Sequence, residues 1–252
     1  MPAMDYSKIA ELYDIYAATS IDVPFFIQEA QAHSSVLELM SGTGRLSIPL
    51  IEAGVHLSCL DSSSEMLAML QSKLKAKKLS APVYEMDVCS MSLPARYDLI
   101  IIPFNSFAEI SDLEKQGEAL KAIHTHLTDR GHFICTFHNP SVRLKGVDGQ
   151  IRVRGRFPLP EKNGTLVLAS FESYSPVTRL VTGAQFYELY DTGGLLISKR
   201  YLELQFYVHD RESFETLALA NGFEVTALYG DYSRNEFDAG RSPFMIWSLR
   251  KV

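Results

Sequence analysis

Apolar positions along this chain follow three successive rhythms. Residues 4–31 read as helix: Tyr6, Ile9, Tyr13 and Tyr16 recur near helical spacing, and Pro24 opens a second run through Phe25, Phe26, Ile27 and Ala30. From residue 36 short branched runs alternate with helical patterns. Val36-Leu37-Glu38-Leu39 predicts a strand, and Leu46, Ile48, Leu50, Ile51 and Ala53 a helix. His56 to Leu60 predicts a second strand, and Asp61-Ser62-Ser63-Ser64-Glu65 supplies an N-cap for a helix through Met66, Leu67, Leu70 and Leu74. Strands at 83–86 and 97–102 follow, then an amphipathic helix over 112–127, and Gly131 leads into a strand over 132–137. The near-continuous Leu99-Ile100-Ile101-Ile102 is what a parallel strand covered on both faces requires.

Over about 143–208 the rhythm changes to alternation. Residues 150–157, 165–171, 180–190 and 196–207 place apolar side chains at every second position, with Asn163-Gly164 and Gly193-Gly194 as hairpin turn pairs. An antiparallel β subdomain over 143–208 is therefore expected, inserted into a core made of 1–142 and 209–252. Arg152, Arg154 and Arg156 fall on one face of their strand by the two-residue period, an exposed polar face by default and otherwise a receptor for an acidic group. The tail resumes the first pattern: a helix from Arg211 through Phe214, Leu217, Leu219 and Ala220, a stop at Asn221-Gly222, then strands over 223–229 and 242–249. Between these strands the polar, aromatic loop 231–237 is expected to help shape a pocket.

Composition narrows the class. The 252 residues are 46% hydrophobic and 21% charged, as in ordinary globular proteins, and a formal net charge of −6 argues against a nucleic-acid partner. No apolar run reaches the ~20 residues of a membrane span, and Met1-Pro2-Ala3-Met4-Asp5 does not open a signal peptide, so a cytoplasmic protein is expected. Cys59, Cys89 and Cys135 are widely spaced and read as reduced core thiols. His124 and His126 do not share a helix face, so no metal site is expected. Lys73, Lys75, Lys77 and Lys78 crowd a helix C-terminus and read as a solvated face.

The chemistry concentrates at Met40-Ser41-Gly42-Thr43-Gly44. A strand, a glycine turn and a helix let backbone approach a ligand closely, and Asp61 at the end of the next strand suits the two hydroxyls of a ribose. Glu38 weighs on which nucleoside this is, because a carboxylate there repels a pyrophosphate and welcomes a cation. Ser47 stands where a dinucleotide fingerprint wants its third glycine. Open α/β sheets bind ligands at strand carboxyl ends. That rule selects Pro103, Phe104 and Asn105 after one strand and His138 after another. Phe104 is suited to walling a cation, Asn105 to orienting a nucleophile or capping the next helix, and His138 to general-base or structural duty.

Glu38, Met40, Gly42 and Gly44 together resemble motif I of the class I S-adenosylmethionine-dependent methyltransferases, in which an acid is followed by glycines at alternate positions. Met40 departs from that motif by replacing the first glycine, which bears on the backbone path. The resemblance covers residues 35–140 and 210–250. It implies an α/β fold: a doubly wound, seven-stranded, mostly parallel sheet with a reversed last strand, plus the inserted antiparallel sheet as lid or homodimer contact. It implies S-adenosylmethionine as cofactor, held by the turn from Glu38 to Gly44, by Asp61, with Ser62 and Met66 beside the adenosine, and by Asp87 and Val88 at the adenine. It also implies a helical flap carrying Tyr6 and Tyr13 over the cofactor. The expected activity is methyl transfer to a small molecule, an amine preferred, with His138, Asn105 and Tyr13 as the catalytic set. A nucleotide-dependent oxidoreductase and a catalytically silent cofactor-binding module are the alternatives.

Overall fold

The computed structural model describes residues 4–159 and 164–252. The start at Met1-Pro2-Ala3 and Asn163 of the expected Asn163-Gly164 turn lie outside the described residues. Seven strands form the main sheet: β1 (Val36–Leu39), β2 (Leu57–Asp61), β3 (Val83–Glu85), β4 (Tyr97–Ile102), β5 (Leu127–His138), β10 (Phe223–Tyr229) and β11 (Phe244–Lys251). Their order is β10-β11-β5-β4-β1-β2-β3, and β11 runs antiparallel to both of its neighbours. The remaining pairs are parallel. Alternate residues of the central strands serve opposite faces. Leu37, Leu39, Ile100 and Ile102 join one core with Phe107, Phe133, Phe214 and Trp247, while Val36, Leu99 and Ile101 join the other with Phe26, Leu70 and Ile246. Burial on both sides explains why these strands read as unbroken apolar runs.

Among the described residues seven α-helices accompany the strands: α1 (Ala10–Tyr16), α2 (Val23–Gln31), α3 (Ser47–Glu52), α4 (Ser64–Lys77), α5 (Leu113–His126), α6 (Pro140–Arg143) and α7 (Arg211–Ala220). Side chains cap several of their starts. Ser63 caps α4 and Asp112 caps α5, and a reciprocal Asp210–Ser213 box opens α7. The N-terminal helical run is divided: a 3-10 turn (Tyr6–Lys8) precedes α1, and residues 17–22 separate α1 from α2. His124 and His126 serve separate ends. The His126 ring accepts from the Leu93 amide at 2.9 Å, while His124 packs edge-on against Phe223. No helix among the described residues is long and apolar enough to cross a membrane.

The second sheet comprises β6 (Arg152–Leu159), β7 (Gly164–Ser175), β8 (Leu180–Tyr190) and β9 (Leu196–Tyr207), antiparallel in sequence order. Its inner face, with Leu166, Leu168, Tyr187, Leu202 and Leu204, packs on Ile9 and Leu12 beside α1. The Tyr16 and Tyr187 hydroxyls meet at 3.0 Å, and Arg200 binds the Lys8 carbonyl and Glu11. So α1 is held between the two sheets. One expectation fails here. The β6 register slips between Val153 and Gly155, which breaks the alternation that would have placed three arginines on one face. Arg152 pairs with Asp148 instead, and Arg154 donates to the Ser170 hydroxyl.

Candidate functional site

The turn after β1 lies at the carboxyl end of the sheet, where the chain leaves β1 for β2 on one side and leaves the adjacent β4 for β5 on the other, the usual ligand crevice of such sheets. Met40 has φ 56° and Gly42 φ 54°. Met40 therefore follows the left-handed path a glycine would take, at a strain of about 1–2 kcal/mol. A Cβ on Gly42 would meet Met66 Cε at 3.3 Å, so bare backbone faces the cavity. Gly44 answers to packing: a Cβ there would come within 2.4 Å of Leu70 Cδ1 on α4. Asp61 closes the turn from the side, its carboxylate accepting from the Gly42 amide at 2.7 Å and the Ser63 amide at 2.9 Å. Burial raises its pKa, and these backbone N–H groups oppose the rise.

Beside the turn is a cavity of about 180 Å³. Of the residues singled out from sequence, it gathers Tyr6, Tyr13, Met40, Gly42, Asp61, Ser62, Met66, Asp87 and Val88. Asp87 sits exposed at its rim, accepting from the Cys89 amide at 2.8 Å. Glu38, Ser41, Thr43, Gly44, Pro103 and Phe104 do not line it. Glu38 was expected to face a cationic ligand. It lies beneath the turn instead, 2% exposed, accepting from the Ser47 hydroxyl at 2.5 Å. Burial pushes its pKa up to about 8, against the pull of Ser47 and Arg45, so it is mainly a neutral carboxyl at pH 7. Ser41 is buried and its hydroxyl has no hydrogen-bond partner among the described residues. The cavity's negative character comes from Asp61, Asp87 and Asp112, set against Lys115.

Ion pairs bind the N-terminal helices to this turn. Asp14 of α1 accepts from the Thr43 hydroxyl at 2.6 Å and from Lys73 at 2.5 Å, and Lys73 also donates to the Thr43 carbonyl at 2.8 Å. Lys73 thus departs from the solvated lysine face expected of it, while Lys75, Lys77 and Lys78 remain exposed. Arg45 holds buried Asp22 through two bonds of 2.7 and 2.6 Å, and its guanidinium lies 4.5 Å from the Phe104 ring centroid. One face of that ring is therefore already taken by a cation of the protein.

A second cavity of about 230 Å³ opens between the β5 end, the N-terminal tyrosines and the second sheet. His138, Asn105, Arg143, Glu172 and Gln185 line it, together with Tyr6, Tyr13 and Glu109, which also belong to the first cavity. Phe104 and Asn105 adopt φ 59° and 64°, consecutive left-handed residues that turn the chain at the rim. The Asn105 side chain does not cap the following helical turn; its Oδ1 accepts from the His138 amide at 3.0 Å and ties the β4 and β5 ends together. Enclosure, with Arg143 nearby, lowers the His138 pKa to about 4. The ring stays open to cavity water, which tempers the effect of enclosure, and in either case it is neutral at pH 7 and a weaker base than its ordinary value promised. Tyr6 and Tyr13 are raised above the ordinary phenol range, chiefly by burial, and serve as neutral donors. Across the His138–Asn105 wall, Ile21, Tyr232 and Phe244 line a third, apolar chamber, which brings the 231–237 loop to the site.

Sequence reasoning missed Glu109, Arg143 and Glu172. Arg143 and Glu172 form an ion pair on the wall of the second cavity, with Glu172 6% exposed. Glu109 accepts from the Tyr6 hydroxyl at 3.0 Å, and burial pushes its pKa up to about 8. A lone acid inside Ser106-Phe107-Ala108-Glu109-Ile110, directly after a ligand-facing strand end, was the available signal.

Residues 36–131 match the family model described as a methyltransferase domain. That stretch is similar to a methyltransferase domain, and the sheet around it has the class I methyltransferase fold. A glycine/sarcosine N-methyltransferase of Aphanothece halophytica is 30% identical over 136 residues, 52% of this chain and 51% of that protein. The chain thus spans about half the length of the curated relatives it matches. The CcbJ methyltransferase from Streptomyces caelestis superposes with a TM-score of 0.79 at 23% identity, covering 98% of this chain and 97% of that one. A S-adenosylmethionine-dependent methyltransferase from Clostridium acetobutylicum ATCC 824 gives a TM-score of 0.79 at 18% identity, covering 98% of each chain. At such coverage both likenesses extend over the second sheet as well as the methyltransferase core, and they speak to the fold.

The first cavity of the methyltransferase core suits the adenosyl group in kind. Leu60, Met66, Met86 and Val88 give apolar walls for a flat base, Asp61 offers two carboxylate oxygens, and the Gly42 backbone leaves room that a side chain would fill. Three aspartates against one lysine disfavour a pyrophosphate.

Proposed function

We propose that this chain transfers the methyl group of S-adenosylmethionine to the nitrogen of a small-molecule amine. The observation that carries the reading is the wall shared by the two cavities: Tyr6, Tyr13 and Glu109 border both, so a nucleoside on one side and an acceptor on the other meet there. Asp61, Asp87, Gly42, Met40, Met66 and Val88 would hold the cofactor, which supplies an electrophilic methyl on a sulfonium. The chain's own contribution is placement. The tyrosine hydroxyls and the His138 ring fix the acceptor, and the second sheet keeps bulk water from the wall. Such positioning accounts for up to about 7–11 kcal/mol of a barrier. The choice of nitrogen is supported by the Aphanothece halophytica relative, whose name specifies N-methylation.

Titration calorimetry with S-adenosylhomocysteine and with NAD, followed by mass spectrometry of an amine panel, tests the reading. S-adenosylhomocysteine binds and a methylated amine forms. Asp61→Asn, which removes the charge from a group placed for ribose hydroxyls, weakens S-adenosylhomocysteine by roughly tenfold to hundredfold, from about 1.5–3 kcal/mol of charged hydrogen bonding. Binding of NAD instead, or an Asp61→Asn protein with unaltered affinity, refutes it.

A further inference from the structure

The acceptor cavity has a charge pattern that selects among amines. Its lining carries two carboxylates, Glu109 and Glu172, and a single permanent cation, Arg143. Arg143 is committed to Glu172, which is 6% exposed and would be left as a buried unpaired charge if a ligand drew the guanidinium away. Glu109 is different. Among the described residues its one hydrogen-bond donor is Tyr6, at 3.0 Å, and it sits on the wall shared with the cofactor cavity. The groups that face it are the phenols of Tyr6, Tyr13 and Tyr16, with Asp61 beyond them, and across the acceptor cavity His138 with the Arg143–Glu172 pair. On the cofactor side Asp87, Asp112 and Lys115 share the first cavity with it. On the acceptor side Arg143, the one Lys or Arg in the lining, is already paired.

Resting on the methyl-transfer reading above, we propose that Glu109 seats the ammonium group of the acceptor and takes its proton, and that this acceptor is an amine bearing no carboxylate. A substrate carboxylate would find the cavity's one guanidinium occupied by Glu172 and no other Lys or Arg in the lining, so its desolvation goes uncompensated. An ammonium group supplies the missing countercharge to Glu109. One proton then passes from the ammonium nitrogen to a Glu109 oxygen. The freed lone pair forms the new N–C bond while the electrons of the breaking C–S bond remain on sulfur. The N-methylated ammonium leaves, and Glu109 returns its proton to cavity water. Burial raises the Glu109 pKa to about 8, so near pH 7 the empty cavity holds it largely protonated, and the arriving ammonium group stabilises the carboxylate form that takes the proton.

The test uses the full chain with ethanolamine, benzylamine and glucosamine against glycine and sarcosine, reading both turnover and calorimetric binding to the S-adenosylhomocysteine-loaded protein. The carboxylate-free amines bind and react, with kcat/KM at least about tenfold above glycine and sarcosine. Glu109→Gln keeps its S-adenosylhomocysteine affinity, loses amine binding, and drops kcat/KM by about 100-fold or more. Its pH profile changes as well: the rising limb set by Glu109 disappears and activity follows the free amine's own titration. Glu109→Asp restores part of the binding. Preference for glycine or sarcosine, no turnover of any carboxylate-free amine, or a Glu109→Gln protein with wild-type binding and pH profile overturns the proposal. Failure of the wild-type chain to bind S-adenosylhomocysteine fells the underlying reading instead, so the two are told apart.

Discussion

Glu38 and Met40 sit two residues apart and were both conspicuous in the sequence, yet their roles exchanged. The acid expected to attract a cation is sealed beneath the turn, and the methionine expected to disturb the backbone follows the glycine path. A sequence gives the identity of a strand residue but not which face it serves until the sheet's covering helices are in place; Glu38 falls on the side of Val36 and Ser47. Its elevated pKa has a signed consequence. The folded state holds the proton more tightly than the unfolded one, so the stability this group contributes is complete below its ordinary titration range and is lost as pH climbs toward about 8. Glu38→Gln keeps an acceptor for Ser47 and removes that loss. Thermal scans will place the variant above wild type at about pH 9 by about 1–3 kcal/mol, or roughly 2–10 °C, with the gap closing near pH 5. Glu109, by contrast, was hidden because nothing in a five-residue turn announces that it borders two chambers.

At the scale of elements, helix α1 draws its position from polar clasps as much as from its apolar face. Asp14 joins it to the glycine turn and to Lys73 of α4, while Tyr16 joins it to β8. The Asp14–Lys73 pair is partly exposed, so screening limits it to at most about 1 kcal/mol, with a further ~1 kcal/mol from the Thr43 bond. Asp14→Ala is therefore expected to cost about 1–2 kcal/mol and to weaken S-adenosylhomocysteine roughly three- to tenfold. Hydrogen exchange over residues 10–16 will rise in step with that loss. The helix itself was legible from the spacing of its tyrosines, and the strands from their two periods. What the periods did not carry was the β6 register slip, which costs one residue and leaves no trace in an alternation read by eye, and the reach of Lys73 out of a lysine-rich stretch.

For the whole molecule, strands alternating with helices pointed to an α/β sheet, a local regularity that connection rules turn into an architecture. The seven strands with the last one reversed came with the resemblance to the methyltransferases. The placement of the second sheet was not recoverable in the same way. Alternation in residues 150–207 specified antiparallel strands, but their partner, Ile9 and Leu12 some 150 residues earlier, is chosen only by tertiary packing. That packing sets Tyr6 and Tyr13 of the N-terminal helical run, with Glu109, as the partition between two chambers, with a sheet behind it. From this arrangement we predict ordered binding: the nucleoside enters before the amine and its spent form departs last, so S-adenosylhomocysteine will inhibit competitively against S-adenosylmethionine and noncompetitively against the acceptor in steady-state rates.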